Sequence, residues 1–135
     1  MRQTRDVGSE IAGLAVGVTT TAQETGAAKL KVLHREAVTG MPAAANQEIR
    51  VLHATLDPGD RTPHHSHRFP VTIYLQEGTF TLELEGREPI TVREGETYVE
   101  PPHVKMTGRN LSADVPARMV IFYVCDPDAP FADPA

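Results

Sequence analysis

From Lys29 to Cys125 the chain is interrupted every few residues by turn chemistry, and no stretch of a dozen residues carries apolar side chains at a helical period. That combination excludes a helical bundle and an alternating βα fold, and predicts short antiparallel strands. Residues 48–56 alternate and stop at Asp57-Pro58-Gly59-Asp60. Residues 71–76 put Val71, Ile73 and Leu75 on one face, and Glu77-Gly78 turns the chain into 79–85, where Phe80, Leu82 and Leu84 share a face. Gly86-Arg87 leads into Pro89 to Val92, Glu94-Gly95 into Thr97 to Val99, and the double proline Pro101-Pro102 precedes a last strand from Ala117 to Cys125. Strands of this length at this spacing predict an all-β domain, a compact barrel or jelly roll.

The reading divides the chain into an N-terminal arm (1–28), a β-barrel domain (29–125) and an extended surface tail (126–135) rich in proline and aspartate. A length of 135 residues fits one domain and allows a core without disulfides, which the single cysteine, Cys125, could not form internally. The formal charge of −5 argues against nucleic acid or an anionic membrane surface as partner. No apolar run is long enough to span a bilayer as a helix. Residues 11–18 (IAGLAVGV) loosely resemble the core of a signal peptide, but Asp6 and Glu10 cancel Arg2 and Arg5. The reading therefore favours an ordinary arm and a cytoplasmic protein, with the periplasm as the location if the segment is a signal. The sequon at Asn110 carries no weight.

Histidines gather in two places, at His64, His65 and His67 after the Asp-Pro-Gly turn and at His103 after the double proline. Residues two apart on a strand project from one face, so His65 and His67 can converge on one ion, which is why His-x-His is a metal-ligand spacing. Val71, Ile73, His53 and Tyr74 are candidate pocket residues. Arg61, Lys105 and Arg109 are weighed as an anion-holding group, against the plainer reading that surface cations are solvated.

Gly59, five residues, His65-Ser66-His67 and then Gly78 resemble the first motif of the cupin superfamily, a glycine, five residues, His-x-His, a glutamate four residues on and a later glycine. Val71 stands where that motif has its glutamate. Gly95, Pro101 and Asn110 resemble the second motif, with His103 in place of a glycine and Met106 in place of the metal-binding histidine. The resemblance covers residues 44–125 and implies a cupin-type double-stranded β-helix, or jelly-roll barrel. It further implies an internal site for one divalent transition metal (Zn, Ni, Fe, Mn or Cu) on three histidines and one glutamate. Of those four this chain supplies His65 and His67, and the resemblance leaves two further candidate ligands, the thioether of Met106, which suits copper(I) better than harder ions, and His103 if its loop turns inward. The expectation is either a reduced site or no metal, with Val71 and Met106 filling the barrel as core side chains.

Three functions compete on this reading. One is a binding module that holds a small molecule of unknown identity; the second is a metal-dependent oxygenase, isomerase or decarboxylase using His65 and His67; the third is a structural homodimer. The fold does not choose among them. A homodimer is expected in any case, since a small barrel leaves strand edges to cover, with residues 2–25 as the expected cover.

Overall fold

In a computed structural model, residues 26–135 are described, and all the regular structure lies within the unit Leu33–Ala135. The described residues form nine strands: β1 (Glu48–Leu56), β2 (His65–Ser66), β3 (Val71–Glu77), β4 (Thr79–Leu84), β5 (Ile90–Arg93), β6 (Thr97–Glu100), β7 (Met106–Arg109), β8 (Ala117–Cys125) and β9 (Asp133–Pro134). Among the described residues there is no helix, so none is long and apolar enough to cross a membrane. The strands make two antiparallel sheets, one ordered β1-β8-β3-β6 and the other β5-β4-β7-β2-β9. The all-β expectation is met.

Alternation along each strand decides which side chains fill the space between the sheets. Val71, Ile73 and Leu75 from β3 meet Phe80, Leu82 and Leu84 from β4, and Met119, Ile121 and Tyr123 from β8, all nearly or wholly buried. Each such side chain contributes about 1.5–3 kcal/mol by leaving water. Gly78 makes the β3–β4 turn possible: its φ is 79°, and a Cβ there would lie 2.3 Å from the Pro116 carbonyl oxygen. Asn110 is buried beside the core with its amide donating to the carbonyls of Leu56 and Val115, so the sequon is structural.

Two parts of the sequence reading change. The tail is more than a surface strap, because β9 pairs with β2 through Ser66 opposite Asp133 and His65 opposite Pro134, and Ala129 is buried. On β1 the inward residues are Leu52, Ala54 and Leu56, which leaves Ile49, Val51 and His53 on the outer face. His53 is therefore an exposed surface residue whose Nε2 pairs with Gln76 Oε1 at 2.9 Å, and it does not reach the interior. The apolar neighbours Ile49 and Val51, which made that face look buried, are themselves exposed. The expectation that residues 2–25 cover a strand edge lies outside the described residues.

Candidate functional site

The first histidine pair sits where β2 leaves the sheet. His65 is in β2 and His67 follows it, and their rings stand 4.8 Å apart at 77°, edge to face. Both line a cavity of about 120 Å³ between the sheets, walled otherwise by apolar side chains that include Ile73, Phe80, Leu82, Met119 and Ile121. Two further groups complete its polar corner. Thr62 comes from the loop before β2, and Glu100 from the end of β6.

Glu100 is the residue that sequence reasoning missed. Its Oε1 lies 3.2 Å from His67 Nε2, with the two side chains only 7% and 1% exposed. In the ladder between β3 and β6, Glu100 is the direct partner of Val71, the position where the motif lacked its glutamate. Directly opposed residues of an antiparallel pair project to the same face. A carboxylate therefore enters the barrel from across the ladder, one strand over from where the motif would carry it. Only the pairing register reveals this; along the chain the two positions are far apart and Glu100 reads as the polar end of a strand.

Hydrogen bonding fixes the state of the two rings. His65 Nδ1 lies 2.6 Å from the Pro63 carbonyl oxygen and His67 Nδ1 lies 2.7 Å from that of Phe131. A carbonyl can only accept, so each Nδ1 donates its hydrogen, and a neutral ring then presents a bare Nε2. Burial holds the His65 imidazole below its ordinary range, partly offset by the Pro63 hydrogen bond, which keeps that ring neutral at pH 7. At His67 a bare Nε2 facing a carboxylate would set acceptor against acceptor. The contact with Glu100 therefore requires a shared proton or a cation at the corner.

Other candidates fall elsewhere. Met106 is the ladder partner of His65 and is completely buried, while Val71 is buried on the inner face of β3; neither lines the cavity. Tyr74 alternates to the outer face of β3, opposite to Ile73 and Leu75, and is no pocket residue. His103 is exposed and adopts φ 64°, a left-handed conformation that explains why the motif prefers glycine there. Its backbone N–H donates to the His67 carbonyl at 2.7 Å, so it supports the site through its main chain, while its exposed imidazole does not line the cavity. Arg109 is paired with Glu83 at 2.8 Å.

The tail closes the corner from outside. Phe131 packs on His67 with ring centroids 4.8 Å apart and on Tyr123 at 5.4 Å. Together with Thr62 and His65 it forms the wall between the inner cavity and an outer groove of about 320 Å³ lined by Pro63, His64, Ala132, Asp133 and Pro134. A hydrogen-bonded pair between Arg68 and Asp133, with N–O distances of 3.0 and 3.1 Å, pins the tail in place.

This arrangement of strands agrees with known proteins. A model of the cupin domain matches residues 52–123, more than half of the chain. The chain belongs to the cupin family. An uncharacterized protein of Methanocaldococcus jannaschii is 30% identical over 69 residues, which are 51% of this cupin and 60% of that relative, so the chain spans less than two thirds of the relative's length. An RmlC-like cupin of known structure from the same organism, with a double-stranded β-helix fold, superposes with a TM-score of 0.51 at 27% identity over 70% of this chain and 88% of the other. A cupin-like protein of Thermotoga maritima gives a TM-score of 0.55 at 19% identity, covering 64% of each chain, and shows the shared fold.

Proposed function

We propose that this cupin binds a small molecule inside the barrel, with its polar end at the corner formed by His65, His67 and Glu100. One observation carries the reading: an apolar-walled cavity between the sheets, with two imidazoles and a carboxylate gathered at a single end. The polar end can hold a ligand's head group by hydrogen bonding while the apolar wall covers its body. Titrating a set of small polar fragments against the untagged protein, with the His65 and His67 imidazole resonances as reporters, tests it. Binders should shift both rings and lose affinity in His67→Ala; fragments that shift surface residues alone would sink the reading.

A second reading, a divalent transition metal at the same corner, is supported by the way both Nδ1 atoms are tied to backbone carbonyls. That is how ligating histidines are usually oriented, leaving Nε2 for the metal. Two imidazoles and a carboxylate suit zinc, nickel, manganese or iron. His65, His67 and Glu100 would hold the ion, which would supply Lewis-acid polarisation of a bound group. Among the described residues no three such side chains are disposed as a formed ligand cluster, so Glu100 would have to turn from His67 toward the ion. Elemental analysis of untagged protein beside His65→Ala checks this, the expected result being one equivalent of metal that the variant lacks.

We also propose a homodimer through β1. This strand ends its sheet, runs nine residues without proline or glycine, and exposes Ile49 and Val51. Light scattering should give twice the chain mass for the wild type and the monomer mass for Val51→Lys.

A further inference from the structure

We propose that the ligand of the barrel is a compact primary amine with an alkyl body of about four carbons, and that Phe131 sets its upper size. The inference rests on the small-molecule reading above and adds the ligand's chemistry and the residue that limits it.

The head follows from the corner. With Nδ1 of His65 and of His67 each donating to a carbonyl, and His67 Nε2 lying 3.2 Å from Glu100 Oε1, the groups the corner has left for a ligand are the His65 ring and the Glu100 carboxylate. Among the described residues no lysine or arginine lines the cavity. A carboxylate ligand would meet like charge and further acceptors. A primary ammonium brings three donors, which the His65 ring and the Glu100 carboxylate can accept while the His67 contact stays in place.

The body follows from volume and lining. Away from the corner, the wall is Ala54, Leu56, Ile73, Phe80, Leu82 and Met119, with nothing polar to satisfy a second functional group. A dry apolar cavity of about 150 Å³ accommodates benzene, so the cavity of about 120 Å³ holds about five non-hydrogen atoms. One nitrogen and four carbons fill it.

The limit follows from the wall. Phe131, Thr62 and His65 are the residues shared by the inner cavity and the outer groove of about 320 Å³. Thr62 is held by accepting a hydrogen bond from the Gly108 N–H, and His65 by its Pro63 carbonyl. The Phe131 side chain is the part of the wall held by packing alone, on His67 and Tyr123. Shortening it opens the cavity into the groove, whose apolar lining of Pro63, Ala132 and Pro134 would take a longer chain.

Calorimetric titration of the untagged protein with straight-chain amines from methylamine to octylamine, and with the matching carboxylates, tests the proposal. In the wild type, affinity should rise about fourfold per methylene up to butylamine, as expected for burial of each CH₂, and fall at least tenfold by hexylamine. Phe131→Ala should let hexylamine and octylamine continue the rise, while Phe131→Leu, which keeps most of the packing, should move the limit by one or two carbons. Glu100→Gln should weaken every amine at least tenfold without moving the limit. Carboxylates binding as well as amines, or a size limit unchanged in both Phe131 variants, would overturn the proposal while leaving the small-molecule reading intact. If neither series binds, that reading falls as well.

Discussion

Strands β1 and β8 pair over nine consecutive residues, Glu48 opposite Cys125 through Leu56 opposite Ala117, whereas β2 pairs with β7 at one position and with β9 at two. The back of the barrel is thus a long ladder, and the front, which carries His65 and His67, is scarcely a sheet. Side-chain bonds supplement its few backbone ones: two imidazoles to two carbonyls, Arg68 to Asp133, and His67 against Glu100. The difference teaches that the site is positioned by polar contacts converging from β6, the β2 loop and the tail, on a scaffold made rigid elsewhere. Substitutions at the front should therefore disturb binding more than folding, except where they strand a buried polar group.

Glu100 is that exception, and the largest effect is expected there. Glu100→Ala leaves His67 buried without its partner and should cost about 1–3 kcal/mol in urea unfolding, the scale for leaving a buried polar group unsatisfied. The exchange Val71→Glu with Glu100→Val should recover most of that, because the two positions are ladder partners whose side chains enter the barrel on one face. An exchange variant no more stable than Glu100→Ala would show that the carboxylate works only from β6, and that the ladder relation is incidental.

The same pair shows what the sequence could and could not reveal. The alternation of Val71, Ile73 and Leu75, and the turn at Gly78, are local signals with a local cause, and they appear in the structure as written. His65 and His67 are legible for the same reason. Glu100 is not, because its meaning depends on the register of β3 against β6, which no local pattern encodes. His53 misleads because exposed Ile49 and Val51 imitate the apolar stripe of a core-facing strand. Phe131 was hidden by composition, since a tail rich in proline and aspartate reads as solvent-exposed chain although its backbone carbonyl holds His67.

Deleting residues 131–135 probes the front alone. The variant loses the carbonyl that accepts from His67 Nδ1 and the strand that covers the outer side of β2. Loss of such a supporting partner typically weakens metal binding about 10–100-fold, and that is the drop expected for Zn(II) by calorimetry. The far-ultraviolet circular dichroism spectrum should be unchanged, since the β1–β8 ladder is untouched. A truncated protein that fails to fold would show that the front carries the fold as well as the site.

Met106→His sharpens the comparison by adding to the front. Met106 is the ladder partner of His65, so a new imidazole would rise beside the existing pair. Zn(II) or Ni(II) should bind at least about tenfold more tightly, a conservative figure beside the effect of a supporting residue. His65→Ala in the same background should abolish the gain. No tightening would mean that the side chain at 106 stays in the core, away from the cavity.

The smallest effect is expected at the pin between Arg68 and Asp133. Hydrogen bonding from the Arg68 guanidinium holds the Asp133 carboxyl below its ordinary range. A depressed carboxyl contributes its share of stability in full above the ordinary aspartate value, near pH 4, and loses it as pH falls through the lower folded value. Tail docking should therefore be indifferent to pH between 7 and 5 and loosen only in stronger acid. Because both side chains are half exposed, solvent screens the pair and the change should be slight. The Phe131 ring resonances report it: they should drift toward their free positions below about pH 4 in the wild type. In Arg68→Gln they should be partly displaced already at neutral pH, with a weaker acid dependence. If wild type and Arg68→Gln titrate alike, the tail is held by its backbone bonds to β2 and by the His67 contact, and the ion pair has no part in closing the cavity.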